Sequence, residues 1–190
     1  MFRDQYQAGF INLFYAVGTK PLANWDPHVE NGSIKRIIDP DLNSCCIEMI
    51  SSNANSSYIT CPRDPDQELG IKMPYLVFYV KNIDKYFSFE IQIIDDMKIK
   101  RRFRACNYQT KACVKNSICL LPMHLDPGWN EIYFNLADFT KRAYGTNYIE
   151  TLHVTVFANC RLRGIYFSDK LYSGKELPEE YRLIVRDERV

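Results

Sequence analysis

The stretch that decides the fold runs from residue 128 to residue 167 and reads GWNEIYFNLADFTKRAYGTNYIETLHVTVFANCRLRGIYF. Its opening residues alternate between apolar and polar, the period of two expected of a strand with one buried face. A helical spacing of apolar residues follows over 136–144, with Asn135 placed to cap the first turn and Gly145 placed to end the last. Because alternation then resumes, the stretch predicts a strand, one short helix and two further strands.

Short strand-like runs fill most of the remaining chain and are separated by Pro, Gly, Asp and Asn. They lie at residues 9–17, 33–38, 45–50, 57–61, 75–80, 87–93, 99–105 and 113–123. A parallel α/β fold would need helices between its strands, and the pattern offers none. We therefore expect an all-β, mainly antiparallel fold, a jelly-roll-like β-sandwich with one short helix near 136–144. In its last strand, Leu162 and Phe167 can share a face only across a bulge, which Gly164 is predicted to provide.

The totals of the sequence describe a packed globule. With 190 residues, of which 46% are hydrophobic and 14% aromatic, the chain is expected to form one domain over 1–190, with the segments 1–22 and 170–190 packed on it. A net charge of +1 gives the whole molecule no attraction to nucleic acid or to membranes. The apolar run at 8–18 is interrupted by polar residues and is too short for a membrane span, so an intracellular protein is expected.

Side chains that carry chemistry are present but are not spaced as in known sites. The seven cysteines are predicted to be reduced and mostly buried, since they form no zinc or disulfide pattern. The three histidines are far apart, at His28, His124 and His153. Residues 39–43 begin like an EF-hand loop but lack its glycine and its glutamate. Asp95 and Asp96 are predicted to form a hairpin tip whose charge Lys98 and Lys100 offset. The sequence therefore predicts no catalytic residues, no metal ligands and no cofactor, in a protein that is not an enzyme.

Basic residues offer the clearest candidate site. Lys100, Arg102 and Arg104 project from one face of one predicted strand and form a row about 13 Å long. The row can face a negatively charged partner, although cations on an exposed strand also serve to keep its edge soluble. Four further cations could extend the row, with the same alternative of solubility open for them, and these are Lys141, Arg142, Arg161 and Arg163.

The longest motif with a known counterpart is RAYGTNYIETL at residues 142–152. Others are G-x-KPL at 18–22, WD at 25–26, ITCP at 59–62, FRA-x-NYQ at 103–109, PM at 122–123, GWN at 128–130, FNL at 134–136, ANCR at 158–161 and YFSD at 166–169. Together they resemble the family of cilia- and flagella-associated protein 20, and the resemblance covers nearly the whole chain. It implies a sandwich similar to carbohydrate-binding modules.

The same resemblance implies a microtubule inner protein of ciliary and flagellar doublet microtubules, located in the cytoplasm as part of the axonemal cytoskeleton. Such a protein bridges the A-tubule and the B-tubule at the inner junction and supports the stability and motility of the axoneme. The implied partners are α/β-tubulin, parkin co-regulated protein and other microtubule inner proteins. The chain departs from the family pattern in its near-neutral charge, in the acidic loop 63–68 and in the end at 187–190, which lacks a basic tail. Four cysteines are also foreign to the pattern, namely Cys45, Cys46, Cys106 and Cys113.

Two other functions are compatible with a sandwich of this kind. A carbohydrate-binding module needs exposed aromatic platforms, for which Trp25 and Trp129 are candidates, although both are predicted to anchor the core. Nucleic-acid binding is suggested by the cationic strand with Phe103 and Tyr108 nearby. It needs aromatic rings on the same face as the cations, however, and Phe103 alternates away from Arg102 and Arg104. The sequence therefore argues against nucleic acid as a partner.

Overall fold

The computed structural model describes residues 1–185, so the predicted lack of a basic tail at 187–190 lies outside the described residues. Within those residues, thirteen strands and one α-helix follow one another. Their bounds are β1 Phe10–Tyr15, β2 Asp26–His28, β3 Gly32–Asp39, β4 Ser44–Ser51, β5 Tyr58–Cys61, β6 Tyr75–Asn82, β7 Ser88–Asp95, β8 Lys100–Cys106, β9 Cys113–Val114, β10 Ile118–Pro122, β11 Gly128–Asn135, α1 Leu136–Tyr144, β12 Tyr148–Phe157 and β13 Cys160–Ser168. A 3₁₀ turn at Glu179–Tyr181 follows.

Two sheets face each other and form a β-sandwich. The six-stranded sheet has the order β11-β6-β13-β4-β3, with β1 beside β13, and the seven-stranded sheet has the order β2-β5-β12-β7-β8-β10-β9. The named strands pair antiparallel except β10 with β8, which are parallel. The predicted all-β, mainly antiparallel sandwich is therefore confirmed, and the parallel pair is a feature that the alternation did not indicate.

The core lies between the two sheets and is filled by aromatic side chains from both. Phe78 of β6 packs on Phe89 of β7, with ring centroids 4.3 Å apart. Phe103 of β8 packs on Phe134 of β11, with centroids 6.2 Å apart. Full burial of one such side chain stabilises a fold by about 2 kcal/mol. The core therefore binds the two sheets together across their inner faces.

Helix α1 forms where the spacing predicts it, and both predicted caps are confirmed. Asn135 Oδ1 accepts a hydrogen bond from the backbone N–H of Asp138 at 3.1 Å. Gly145 adopts a φ of 69° and donates its N–H to the Lys141 carbonyl at 2.9 Å. A side chain would strain this left-handed conformation, so glycine ends the helix here. No helix within residues 1–185 has the length and hydrophobicity that crossing a membrane requires.

The last strand, β13, changes neighbour part-way along its length. Its residues 160–162 pair with β4, and its residues 164–168 pair with β1. On its other side it pairs with β6, and that register shifts between Leu162 and Gly164. The predicted bulge at Gly164 is thus confirmed, and it allows Leu162 and Phe167 both to lie in the core.

Both ends of the described chain pack on the sandwich. Strand β1 joins the six-stranded sheet beside β13. Residues 170–185 cross the outer face of the same sheet, where Leu177 and Tyr181 pack against Tyr79 and Tyr166. The hydroxyl of Tyr79 also donates a hydrogen bond to the Tyr181 carbonyl. This part of the outer face is therefore covered by the chain itself.

Candidate partner-binding surface

The predicted cationic row lies on the outer face of the seven-stranded sheet. In β8, Phe103 and Ala105 are buried in the core, so Lys100, Arg102 and Arg104 point outward. Strand β8 has β7 on one side and β10 on the other, so the row crosses the middle of a sheet face. The alternative that these cations only protect an exposed strand edge does not fit this position.

Neighbouring carboxylates offset part of the charge of the row. Lys100 Nζ lies 3.2 Å from Glu68 Oε1, and Arg102 Nη1 lies 3.5 Å from Glu90 Oε1. Hydrogen bonds to Glu68, first from Arg3 and then from Lys100, lower the pKa of the Glu68 carboxyl despite the opposing effect of burial. Both carboxylates are therefore part of the same mixed-charge surface as the row.

Arg104 is the member of the row without a carboxylate partner among residues 1–185. Its Nη2 donates to Asn55 Oδ1 at 2.6 Å and to Ser88 Oγ at 3.3 Å. Its guanidinium lies 4.4 Å from the centre of the Phe157 ring. These neutral partners orient the side chain, and Glu90, which stands opposite Arg104 in the ladder, forms its ion pair with Arg102 instead. Arg104 is therefore the strongest candidate contact of the row.

The two cations of helix α1 are exposed. Lys141 Nζ donates to the Gly145 carbonyl at 3.4 Å, and Arg142 Nε lies 3.1 Å from Asp138 Oδ2, one helical turn earlier. Both side chains remain available to a partner, because an exposed pair of this kind contributes at most about 0.5 kcal/mol.

Arg161 and Arg163 do not extend the row, and this part of the prediction is wrong. Both belong to β13, where Leu162 between them points into the core. Because side chains alternate along a strand, Arg161 and Arg163 lie on the outer face of the six-stranded sheet. The row lies on the opposite side of the sandwich. Arg163 donates to Ser44 Oγ at 2.9 Å and lies over the Tyr15 ring, which fixes it against its own sheet.

Arg161 belongs to an ion cluster centred on Asp39, whose side chain is fully buried. Asp39 Oδ2 lies 2.7 Å from Arg161 Nη1 and 2.9 Å from Lys81 Nζ, and Asp39 Oδ1 accepts from Trp129 Nε1 at 3.0 Å. Burial by itself raises the pKa of the Asp39 carboxyl, but hydrogen bonds from Lys81, Trp129 and Arg161 outweigh it and lower the pKa to about 2. Asp39, the first residue of the EF-hand-like stretch 39–43, thus forms ion pairs with basic side chains of its own chain.

Two more carboxylates complete this cluster. Lys81 Nζ lies 2.8 Å from Asp41 Oδ2, and Arg161 Nε lies 2.9 Å from Glu48 Oε2. Burial opposes the charge of Lys81, yet hydrogen bonds to Asp41 and Asp39 raise the pKa of its ammonium. The cluster contains three carboxylates and two cations, so both cations are paired within the chain and neither is free to meet a partner.

Strand β8 also contains a buried cation that was not predicted. Arg101 is 7% exposed, and its Nε lies 3.1 Å from Asp95 Oδ2. The same carboxylate oxygen accepts from Thr146 Oγ1 at 2.9 Å, and the Arg101 guanidinium lies 4.1 Å from the centre of the Tyr144 ring. The period of two would have indicated this burial, because Arg101 shares the inward parity of Phe103.

The hairpin tip at Asp95 and Asp96 is confirmed, but the expected source of its charge compensation is wrong. Burial raises the pKa of Asp95, and hydrogen bonds from the Ile99 N–H, Thr146 and Arg101 outweigh it and lower the pKa. Asp96 Oδ2 accepts from Asn147 Nδ2 at 2.8 Å. The tip therefore ties β7 and β8 to the chain just before β12.

Titratable groups in the part of the chain that the structure describes do not gather into a metal site. No three His, Cys, Asp or Glu side chains among residues 1–185 lie together in a way that could hold a metal ion.

The prediction that most cysteines are buried is confirmed, with five of seven buried. Burial raises the pKa of the Cys46 and Cys61 thiols to about 12, so both are protonated at neutral pH and poor nucleophiles. Burial also lowers the pKa of His153.

The two tryptophans differ in their surroundings. Trp25 is fully buried and donates its indole N–H to the Leu13 carbonyl at 3.0 Å, so its predicted core role is confirmed. Trp129 is half-buried on the outer face, where it donates to Asp39, so the core role predicted for it is wrong. Trp25 cannot serve as a sugar platform, because its ring is inaccessible.

Comparison with known proteins gives the family. Residues 1–185 match the family model described as the CFA20 domain. The chain belongs to the CFA20-domain family. It is 57% identical to Cilia- and flagella-associated protein 20 of Chlamydomonas reinhardtii over 185 residues, which cover 97% of both chains. It is 55% identical to the protein of that name from Paramecium tetraurelia, again over 97% of both chains. In Caenorhabditis elegans the identity is 54%, over 96% of this chain and 90% of the relative. The resemblance drawn from the motifs is thus confirmed.

Solved structures similar to this CFA20-domain chain include carbohydrate-binding modules. The family 11 module of the cellulosomal cellulase Lic26A-Cel5E of Clostridium thermocellum is 15% identical, with 89% of this chain and 99% of that module covered and a TM-score of 0.47. A family 30 carbohydrate-binding module is 12% identical, with 84% and 95% covered and a TM-score of 0.41.

Proposed function

We propose that this chain is a non-enzymatic structural protein of cilia and flagella, a microtubule inner protein that bridges the A-tubule and the B-tubule at the inner junction. The observation that carries the proposal is the 57% identity, over 97% of both chains, to Cilia- and flagella-associated protein 20 of Chlamydomonas reinhardtii. Its partners in this proposal are α/β-tubulin, parkin co-regulated protein and other microtubule inner proteins. Its role in the axoneme is to support stability and motility.

Several physical features support a function exercised through the surface. Arg104 presents a charge without a carboxylate partner among residues 1–185, and Lys141 and Arg142 are exposed on α1. Cations at these places suit the acidic surface of a microtubule lattice. Because a lattice repeats the partner surface, contacts that are weak one by one can together retain the protein.

The chemistry of the buried groups supports a non-enzymatic role. Burial raises the pKa of the Cys46 and Cys61 thiols to about 12, so neither is a ready nucleophile. The buried carboxylates Asp39 and Asp95 are each held by cations and hydroxyl or indole donors, so they are not free to exchange protons near neutral pH.

The first experiment locates the protein. The full chain, tagged, is expressed in ciliated cells, and intact doublet microtubules are imaged by cryo-electron microscopy after the membrane has been removed from the axonemes. We expect density for the chain at the seam between the A-tubule and the B-tubule. A protein that leaves with the membrane and matrix fraction, or that lies outside the doublets, would refute the proposal.

The second experiment tests the row. The triple variant Lys100→Glu, Arg102→Glu, Arg104→Glu is expected to keep its cooperative thermal unfolding, because the three side chains lie on the outer face, and to reduce incorporation into doublets. The matched control reverses three exposed lysines outside the row, Lys85, Lys111 and Lys170. Full incorporation of the row variant would remove the row from the interface, and equal losses in both variants would trace the effect to net charge.

The positions of Trp25 and Phe103 argue against the two alternative functions. A sugar platform at Trp25 is excluded by its full burial. Stacking of nucleobases beside the row is excluded for Phe103, which lies in the core behind the cations.

A further inference from the structure

A second cationic surface lies beside β3, at one edge of the six-stranded sheet. This β3 groove has a volume of about 380 Å³ and is lined by the cations Lys20, Lys35, Arg36 and Arg63 and by apolar side chains that include Ile34 and Ile47. All four cations are exposed. Among the residues that the structure describes, none of them forms an ion pair, and no Asp or Glu lines the groove.

The acidic side chains closest to these cations in sequence or register are engaged elsewhere. Glu48 stands opposite Lys35 in the ladder between β3 and β4, and its carboxylate lies 2.9 Å from Arg161. Asp64 follows Arg63 in sequence, and its Oδ1 accepts the backbone N–H of Asp66 at 3.0 Å. The β3 groove therefore differs from the row on β8, where carboxylates sit beside two of the three cations.

The backbone of β3 adds a second means of binding. This eight-residue strand pairs with β4 alone, so its other edge carries unpaired N–H and C=O groups within the described structure. The Ser52 N–H donates to the Asn31 carbonyl at 3.1 Å, and paired positions alternate along an antiparallel ladder. By that alternation the N–H and C=O of Ile34 and Arg36 point away from β4. A strand with such an edge can pair with an extended peptide.

We propose that the β3 groove binds an extended acidic segment of a partner protein, which pairs with β3 as an added strand. Arg36 lies on the same face of β3 as Ile34, and Lys35 lies on the opposite face. Because the side chains of an added strand also alternate, its carboxylates reach cations on both faces, and an apolar side chain of the segment covers Ile34. An acidic peptide fits better than a nucleic acid, because no exposed aromatic ring lines the groove and the nearby Trp25 is fully buried. The site is argued from the groove alone and does not rest on the ciliary function proposed above.

The test uses the full chain and a fluorescein-labelled octapeptide, EEVEEVEE, whose binding is followed by fluorescence anisotropy at low salt. We expect saturable binding that is at least about tenfold weaker for QQVQQVQQ, since the carboxylates supply the charge complement. The double variant Lys35→Gln, Arg36→Gln is expected to weaken binding about tenfold. The control Lys111→Gln, Lys115→Gln removes the same charge from exposed positions outside the groove and is expected to change the affinity less than about twofold.

Edge pairing has its own test. Arg36→Pro and Arg36→Gln remove the same charge, but only the proline removes the outward N–H. Arg36→Pro is therefore expected to bind EEVEEVEE at least about threefold more weakly than Arg36→Gln does. Circular dichroism and thermal unfolding verify that each variant is folded. Equal affinity for the Glu and Gln peptides, or an equal loss in the control variant, would overturn the site. Tighter binding of an eight-nucleotide oligo-dT would assign the groove to nucleic acid, and equal affinities of the two Arg36 variants would overturn the added strand.

Discussion

Replacing Asp39 by Asn should destabilise the protein by about 3 kcal/mol. The carboxylate is fully buried and is the shared partner of Lys81 at 2.9 Å and Arg161 at 2.7 Å. Removing one partner of a buried ion pair typically costs about 3–5 kcal/mol. The lower value applies here, because Lys81 keeps Asp41 and Arg161 keeps Glu48. A loss of this size is a large share of a typical stability of about 5–15 kcal/mol.

The assay is equilibrium unfolding in urea, followed by tryptophan fluorescence and circular dichroism. The free energy of unfolding of a protein of this size falls by about 2 kcal/mol per M urea. The variant should therefore unfold at about 1.5 M less urea, with this dependence unchanged. The matched control is Asp41→Asn, whose side chain is 48% exposed and has Lys81 as its one ion-pair partner among residues 1–185, so it should lose less than about 1 kcal/mol. Equal losses at the two positions, or a loss below about 1 kcal/mol for Asp39→Asn, would refute the assignment of a buried and tightly held charge.

The same carboxylate predicts how stability depends on pH. Its pKa in the folded protein is about 2, below the ordinary value of 3.8, so its stabilising contribution is present above pH 4 and is lost as the pH falls toward 2. The difference between these two pKa values corresponds to about 2 kcal/mol of folding free energy. Between pH 5 and 2 the wild-type protein should therefore lose about 2 kcal/mol more of its free energy of unfolding than Asp39→Asn loses. Parallel pH profiles of the two proteins would contradict the lowered pKa.

Three other measurements follow from the fold. Gly145→Ala should cost about 1 kcal/mol in urea unfolding, because alanine must adopt the φ of 69° that ends α1; an unchanged midpoint would contradict this. Arg101→Leu should cost about 3 kcal/mol by leaving its buried aspartate partner without a cation, whereas the exposed Arg102→Leu should cost less than about 1 kcal/mol; similar losses would refute the buried pair. In the native protein at pH 8, a thiol reagent should modify the half-buried Cys45 and Cys113 first, and the five buried thiols only after denaturation; fast reaction of all seven would show that the core is open.

Features determined by near neighbours in sequence were predictable. Helix α1 and its caps depend on Asn135 and Gly145, each of which bonds to a residue within four positions. The bulge at Gly164 was visible because the parity of apolar residues changes across it. Alternation alone also put Lys100, Arg102 and Arg104 on an outer face.

Features that depend on distant parts of the chain were not predictable. Lys100 is offset by Glu68, 32 positions away, and Arg161 is held by Asp39, 122 positions away. Parity assigns a side chain to one face of its own strand but does not say which sheet the strand joins. For that reason Arg161 was grouped with a row on the other side of the sandwich, and the free cations beside β3 were not recognised as a site.

The two neighbours of β13 on one edge have a consequence for biosynthesis. The N-terminal strand β1 finds its partner only in residues 164–168, with Phe10 opposite Ser168. In a nascent chain, Ile11, Phe14 and the backbone groups of β1 therefore have no strand partner until residues 164–168 have been made. Pairing between strands so far apart in sequence forms slowly, so β1 is exposed to aggregation during that time.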